Sequence, residues 1–369
     1  MENKRLKELD ILRAFAFILV VEQHSMGGFI NIVGITTVDS KIFTIFYVLA
    51  KPAVSIFLCI SGIALFYAYY ENFNLKKYYI KRISNIFIPY IIWSIIYLII
   101  NNDIDSLFIK LLSGSGCYHL WYMGMNIRLL IYFPIILYFF KKIRQSSLKF
   151  KSVTFILLII SYYYISKYQT IISSNLINFV FTNPTKYEKR LINISPLFWY
   201  LYFIIGVYIS FNYKKFKDNI LKYKTIIITC YMILLMYSYL NLVKVIKFNR
   251  ILSLSYYIFS FLALYILAVK LSTKVKIYNF FNFINKYSFG SYLAHILVIN
   301  KVSNILKLYF NINNILVYGF ILWIGSSIIT PLIIKIISYI PYTKFVTGVK
   351  SVSYISYIKS ITGVRNIDT

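Results

Sequence analysis

The first apolar segment of the chain, residues 9–31, reads LDILRAFAFILVVEQHSMGGFIN. Its length fits the roughly 20 residues with which an α-helix crosses the hydrocarbon core of a membrane. No small-residue cleavage site follows it, and it contains Arg13, Glu22 and His24, so we interpret it as a retained transmembrane helix rather than a signal peptide. Ionisable side chains inside a spanning helix are costly, about 2.5 to 3.5 kcal/mol each at the helix centre, and mark candidate functional residues.

Similar apolar segments recur along the whole chain. Of the 369 residues, 59% are hydrophobic and 14% are charged, and the mean hydropathy is +0.69, whereas soluble domains are about half apolar and a quarter charged. Lipid offers the backbone no hydrogen bonds, so spanning segments fold as helices. We therefore predict an all-α, polytopic integral membrane protein with about ten transmembrane helices. These helices fall near residues 9–31, 53–70, 84–102, 119–140, 152–168, 197–212, 225–243, 251–269, 287–308 and 315–340.

The positive charge follows this predicted topology. A net charge of +29 would suggest nucleic acid in a soluble protein, but 25 of the 40 Lys and Arg residues lie in alternate segments beginning with the N-terminus. Twelve others lie in the remaining connecting segments or toward the helix ends that adjoin them, and three lie deeper within predicted helices. This asymmetry predicts that both termini are cytoplasmic. The basic loops are then suited to anionic lipid headgroups or a phosphorylated ligand, and we expect no nucleic-acid partner.

No internal repeat or long linker divides the chain. We predict one transmembrane domain at residues 1–340 and a basic cytoplasmic tail at residues 341–369. The polar segment 169–196 is the longest predicted external loop and a candidate lid or acceptor-binding loop. The three cysteines are widely separated, so we predict neither a disulfide nor a metal site. Abundant Ile, Lys, Asn and Tyr suggest a bacterial source, and hence the bacterial cytoplasmic membrane as location.

Two ionisable side chains of the first helix share one face. Arg13 and His24 are eleven residues apart, which places them within about 20° of each other around the helix and about 16 Å apart along it. Asp10 lies on nearly the same stripe, one turn below Arg13, where it could orient the guanidinium. A neutral histidine can accept a proton, and an arginine keeps its charge and can bind phosphate. The alternative is that both residues only satisfy buried neighbours.

Four further residues belong to the predicted spans. His119 is expected at the outer end of the fourth helix and His295 inside the ninth. Arg128 lies deeper in the fourth helix and requires a polar partner, for which Glu22 is available. Trp121 follows His119 and could equally be an aromatic residue of the membrane interface.

These residues resemble the signatures of a known family, the bacterial membrane acyltransferases called acyltransferase family 3. The first helix is similar to the family pattern of an arginine, ten residues and a histidine, which here are Arg13 and His24. Similar elements follow in family order: residues 55–62 ending in Ser-Gly, residues 79–82 leading to Ile88-Pro89-Tyr90, His119–Tyr122, Phe203–Gly206 and Ser291–His295. All three histidines of the chain fall on these elements. Asn85 departs from the pattern, since the family often has a second arginine there.

The resemblance implies an O-acyltransferase that uses acyl-CoA, usually acetyl-CoA, as a cytoplasmic co-substrate with no bound cofactor. His24 would be the catalytic base and Arg13 its partner at the donor. Donor contacts of the third-helix loop would fall to Lys81 and Arg82. Asp10, His119, Trp121, Arg128 and His295 would support the site or face the acceptor, a hydroxyl of an extracytoplasmic or lipid-linked saccharide.

Two other classes of function fit a chain with buried Arg, Glu and His. One is a transporter or flippase for a saccharide or lipid-linked intermediate, although the sequence has no evident inverted repeat. The other is a sensory or scaffold membrane protein, in which the intramembrane charges only hold helices together.

Overall fold

A computed structural model describes residues 5–31, 36–310 and 312–349 of the chain. Within these residues all regular secondary structure is helical, so the predicted all-α fold is confirmed. The α-helices are α1 (Lys7–Met26), α2 (Thr37–Ala50), α3 (Ala53–Tyr69), α4 (Leu75–Arg82), α5 (Ile88–Ile100), α6 (Leu107–Leu112), α7 (Trp121–Gln145), α8 (Leu148–Lys167), α9 (Gln169–Val180), α10 (Lys186–Asn193), α11 (Tyr200–Phe211), α12 (Tyr213–Lys222), α13 (Lys224–Leu242), α14 (Arg250–Ser272), α15 (Val275–Tyr309), α16 (Ile315–Ile337) and α17 (Lys344–Thr347).

Seven helical segments of the described chain are long and apolar enough to cross a membrane. They are Thr37–Tyr69, Leu75–Ile100, Tyr118–Gln145, Leu148–Lys167, Lys224–Leu242, Arg250–Ser272 and Ile315–Ile337. The three remaining predicted spans fall on α1, α15 and the shorter apolar helix α11. Of these, α1 and α15 carry the buried charged and polar side chains of the site described below.

Helix α1 lies at the centre of the bundle, in contact with α2, α3, α14, α15 and α16. Its apolar side chains are buried around the helix, among them Leu12, Ala14, Phe17 and Val21. Because other helices cover α1, the polar side chains that it carries meet protein groups rather than lipid. Large apolar side chains on the outside of the bundle remain exposed, as expected where lipid is the solvent.

Helices α3 and α11 cross at two glycines. A Cβ atom on Gly62 would lie 2.1 Å from the carbonyl oxygen of Phe203, and one on Gly206 would lie 2.1 Å from that of Cys59. Small residues allow two helix backbones to approach in this way. The crossing fixes α3, which contributes one wall of the cavity described below.

The basic segments gather at the end of the bundle that holds the start of α1. Lys217 of α12 forms an ion pair of 2.9 Å with Glu8, and Arg144 lies over the ring of Tyr70 at 3.7 Å. This arrangement agrees with the Lys and Arg asymmetry of the sequence. We call this end the basic end.

Several predicted boundaries differ from those observed. Helix α1 ends at Met26 instead of residue 31, because Gly27 and Gly28 begin a 3₁₀ turn, Gly27–Asn31. Helix α15 begins at Val275, twelve residues before the predicted 287. The predicted external loop 169–196 instead contains the helices α9 and α10. Helix α10 starts with a capping box in which Thr185 and Glu188 bind each other's backbone.

The segment where the predicted tail begins packs into the bundle. Residues 341–349 lie beside α5 and α15, and Trp93 Nε1 donates to the carbonyl oxygen of Val346 at 2.9 Å. Thr347 is fully buried. Residues 350–369, the remainder of the predicted tail, lie outside the described residues.

Candidate active site

The fold brings the three histidines of the chain together. His24 lies in the last turn of α1, His119 in the 3₁₀ turn Tyr118–Leu120 before α7, and His295 in the middle of α15. Ring centroids are 4.7 Å apart for His119 and His295, 5.3 Å for His24 and His295, and 6.3 Å for His24 and His119. We call these residues the histidine cluster. Sequence reasoning placed the histidines on separate motifs, and tertiary packing brings those motifs to one site.

The ring nitrogens of the cluster are largely unpaired. His295 Nδ1 lies 2.7 Å from the carbonyl oxygen of Tyr292. Since a carbonyl can only accept, Nδ1 donates, and in a neutral imidazole Nε2 then bears the lone pair. His295 Nε2 and both ring nitrogens of His119 are buried without a hydrogen-bond partner in the described chain. His24 is half-buried, so it is the most accessible of the three imidazoles.

Tyrosines surround the histidine cluster. The hydroxyl of Tyr292 donates to the carbonyl oxygen of His119, and its ring lies 5.6 Å from that of His295. Tyr97 packs edge-on against His119 at 5.2 Å, and its hydroxyl donates to the carbonyl oxygen of Leu293 at 2.9 Å. The Tyr118 ring packs edge-on against the His24 ring, with centroids 5.2 Å apart. These contacts hold the backbone of the His119 turn against α15.

A cavity of about 270 Å³ leads from the basic end toward the histidine cluster. Arg13 and Arg82 line it, together with Ser61, Asn126, Tyr122 and Tyr292. No carboxylate lines it among the residues that the structure describes. Tyr292 belongs both to this wall and to the contacts of His119 and His295, so the cavity ends directly beside the cluster. We call it the arginine cavity.

Arg13 is held by α15. Its Nη1 donates to Asn285 Oδ1 at 3.1 Å, and Asn285 Nδ2 donates to Asp10 Oδ1 at 2.9 Å. Asp10 pairs directly with Arg5 at 2.7 Å, and this bond raises the pKa of Arg5 above its ordinary value. The expected contact of Asp10 with Arg13 is therefore relayed by Asn285. Sequence reasoning missed Asn285, which lies two residues before the predicted ninth span, 287–308.

The two predicted donor-binding residues occupy different places. Arg82 Nη2 donates to the hydroxyl of Tyr69 at 3.3 Å, its guanidinium lies over the Tyr78 ring at 5.1 Å, and its Nε is buried without a partner in the described chain. Lys81 is exposed and lines a separate groove. A π-helical turn, Ile83–Phe87, follows Arg82 and contains Asn85; such turns are frequent at functional sites. Arg82, but not Lys81, faces the arginine cavity.

Arg128 does not pair with Glu22. Its guanidinium donates to three backbone carbonyls, those of Gly124, Leu191 and Ile194, at 3.1, 2.8 and 2.9 Å. Glu22 lies on the other side of α1, as its angle of about 180° from Arg13 predicts. The suggested pairing was wrong because carbonyls at the C-terminal end of α10 satisfy the guanidinium. Arg128 thus fastens α10 to α7 instead of facing the histidine cluster.

Helix α10 and the loop before His119 form another side of the cluster. Arg190 Nη2 donates to the carbonyl oxygens of Gly114 and Tyr118 at 3.1 and 2.9 Å, and burial lowers the pKa of Arg190 from its ordinary value. Sequence reasoning did not select Arg190. Trp121 packs against Trp199 with ring centroids 5.1 Å apart, so it supports the start of α7.

No group of three or more His, Cys, Asp or Glu residues in the described ranges is arranged to hold a metal ion. The contacts among the imidazoles are ring packing, mostly edge-to-face. The chemistry that this arrangement offers is proton acceptance by imidazole beside a cationic cavity.

Known proteins are similar to this chain in sequence. A family model described as an acyltransferase domain matches residues 6–339. Curated relatives named "probable poly-beta-1,6-N-acetyl-D-glucosamine export protein", from Staphylococcus aureus strains MSSA476 and MW2, are 25% identical over 239 residues. The match covers 61% of this chain and 63% of the relatives, which is less than two thirds of their length. No solved structure matches the chain.

Proposed function

The chain belongs to acyltransferase family 3, and from this premise we propose that it is a membrane-embedded O-acyltransferase. It moves an acyl group, acetyl in the simplest case, from acyl-CoA at the basic end to a hydroxyl of an extracytoplasmic or lipid-linked saccharide. One observation carries the proposal: the arginine cavity, which suits an anionic donor, ends at Tyr292 beside the histidine cluster, which suits proton transfer. A donor in the arginine cavity would then lie next to the cluster that contains the proposed base.

Charge and volume support the donor assignment. Arg13 and Arg82 supply two fixed positive charges, and a phosphate binds a guanidinium through charge-assisted hydrogen bonds. At about 270 Å³ the cavity lies at the lower end of small-ligand sites, which span about 300 to 1,000 Å³. It suits the narrow acyl-thioester arm, while the nucleotide of the donor stays near the basic loops. Asn126 Oδ1, buried in this wall without a partner in the described chain, is available to the amides of that arm.

His24 is the proposed general base. It takes the proton of the acceptor hydroxyl as the oxygen attacks the thioester carbonyl. The tetrahedral intermediate then breaks its carbon–sulfur bond, and the thiolate leaves with the proton from the imidazolium. His119 and His295 are positioning residues for His24, because their rings contact it and Tyr292 holds both residues. The Tyr292 hydroxyl donates to the carbonyl oxygen of His119, and the Tyr292 carbonyl oxygen accepts from His295 Nδ1.

The proposal includes the membrane topology. Ten spans with both termini in the cytoplasm of a bacterial cell would bring the basic end to the cytoplasmic donor pool. The accessible side of the histidine cluster would then face the acceptor.

The experiment is a coupled measurement on the purified protein in detergent. With acetyl-CoA and its acceptor, one free thiol should appear for each acetyl group that mass spectrometry detects on the saccharide. Mass spectrometry of surface polymers from cells with and without the protein supplies the acceptor, because a lost ester mass identifies both groups. Acetyl-CoA consumption without an ester product would contradict the proposal.

Export is the second candidate, because the curated relatives are named export proteins. Proteoliposomes that contain the purified protein and a labelled saccharide, but no acyl donor, decide between the two. The transferase proposal predicts no saccharide movement above that of protein-free vesicles.

A further inference from the structure

A second cavity, of about 690 Å³, lies at the end of the bundle opposite the basic end. It is bounded by the end of α8, by α9 and α10, and by the start of α14, and we call it the outer cavity. All but one of the described residues that line it are polar, and they include Lys167, Lys189 and Arg250 beside Ser173 and Asn193. Neither a carboxylate nor an aromatic ring is among the described residues that line it.

Among the described residues, no carboxylate forms an ion pair with the three cations of the outer cavity. The described chain contains three ion pairs, Arg5–Asp10, Lys110–Asp103 and Lys217–Glu8, and none involves them. Arg250 Nη1 donates to the carbonyl oxygen of Ser166, which fixes the guanidinium but leaves its charge unbalanced. A concave site with three uncompensated positive charges attracts an anion.

The outer cavity is linked to the histidine cluster through α10. Lys189 and Asn193, one turn apart, face the outer cavity. Arg190, next to Lys189, holds the loop that leads into His119 through the carbonyls of Gly114 and Tyr118. Arg128 fixes the C-terminal end of the same helix. The short helix α10 therefore lies between a ligand in the outer cavity and the histidine cluster, where the proposed reaction takes place.

We propose that the outer cavity binds an anionic, phosphate-bearing glycan or polyol, and that this is the acceptor class of the proposed transferase, on whose function this inference rests. Lysine and arginine bind phosphodiester oxygens, and the Ser, Asn, Gln and Thr side chains bind the hydroxyls between phosphates. A neutral saccharide is disfavoured because the described lining of the cavity contains no aromatic ring on which a sugar face could stack.

The test measures binding without any acyl donor, so that it is independent of catalysis. The full chain is placed in phosphatidylcholine nanodiscs and titrated with two labelled probes of equal length: a glycerol-phosphate oligomer and a neutral β-1,6-linked N-acetylglucosamine oligomer. The phosphate probe should bind at least about 10-fold more tightly, and added salt should weaken it because the attraction is ionic.

Matched variants assign this binding to the outer cavity. Lys167→Gln combined with Lys189→Gln should weaken the phosphate probe by about 10-fold or more. Lys186→Gln is the control, because Lys186 is an exposed cation of the same helix that does not line the cavity. Thermal midpoints of both variants should match the wild type, which shows that the fold is intact.

Three results would overturn the inference. Equal binding of both probes would show that anionic charge is not what the site recognises. Unchanged binding in the double variant would place the anion elsewhere. If the phosphate probe no longer binds when the nanodiscs contain phosphatidylglycerol, the three cations bind a lipid headgroup, which is the other source of phosphate. A separate outcome concerns catalysis. If the wild-type protein binds the phosphate probe but releases no thiol from acetyl-CoA, the transferase proposal is contradicted and the anion site itself is unaffected.

Discussion

The arginine cavity and the histidine cluster are adjacent, but they satisfy their polar groups in different ways. Arg13 and Arg82 donate to Asn285 and Tyr69, so the protein holds both charges in fixed directions. In the histidine cluster, three ring nitrogens are buried without a hydrogen-bond partner in the described residues. A fixed charge favours binding of an anion, whereas an unpaired imidazole nitrogen can accept a proton. The comparison therefore predicts that changes in the cavity alter donor affinity and changes in the cluster alter turnover.

His24→Ala should have the largest effect. General-base catalysis contributes about 10²- to 10⁴-fold, so we expect kcat to fall by that factor. The KM for acetyl-CoA should change little, because both arginines remain in place. Thiol release against donor concentration measures both quantities.

The matched control for this variant is Gln23→Ala, the preceding residue of the same helical turn. It should retain wild-type kcat, since it leaves all three imidazoles unchanged. Wild-type turnover in His24→Ala would show that His24 takes no part in the chemistry. The arginine cavity and the histidine cluster could then no longer be distinguished by their effects on donor affinity and turnover.

Arg82→Gln should act on affinity. Loss of a charged hydrogen bond costs about 1.5 to 3 kcal/mol, so the donor KM should rise by about 10- to 100-fold with a smaller change in kcat. Lys81→Gln is the matched comparison, since this neighbouring cation is exposed and lines another groove. A larger effect of Lys81→Gln would move the donor out of the arginine cavity.

Arg128→Met should reduce stability without changing the kinetics. The variant removes the side-chain hydrogen bonds to the carbonyls of Gly124, Leu191 and Ile194, and losing such bonds costs about 1 to 3 kcal/mol. A lowered thermal midpoint with wild-type donor KM would confirm that this arginine, unlike Arg13 and Arg82, only holds helices together. Lys186→Met, which removes an exposed cation nearby, should leave the midpoint unchanged.

The sequence predicted helices well because the cost of unpaired backbone in lipid permits little else. It also placed Arg13 and His24 on one face, since the helical repeat fixes angles within a helix. It could not predict that His119 and His295 meet His24, because periodicity says nothing about which helices are neighbours. Asn285 was missed for the same reason: its role exists only where α15 packs against α1.

Helices α9 and α10 were missed for a different reason. Hydropathy identifies apolar spans, and α9 and α10 are short and amphipathic or polar. A local signal was nevertheless present, since Thr185 and Glu188 have the spacing of a capping box. Capping patterns would have identified α10, which both the histidine cluster and the outer cavity depend on.

Glu22→Gln should have the smallest effect, although Glu22 is a buried acid on the same helix as Arg13 and His24. Its carboxylate lies near Tyr231 and Tyr256, outside both the arginine cavity and the histidine cluster, and its Oε1 has no hydrogen-bond partner in the described chain. Glutamine keeps the shape of this side chain but, unlike a carboxyl group, it cannot ionise, and an unpaired buried charge is costly. We therefore expect kcat and donor KM within about 2-fold of wild type and an equal or higher thermal midpoint. A large loss of kcat would show that proton transfer extends across α1 to the opposite face, and the chemistry would no longer be confined to the histidine cluster.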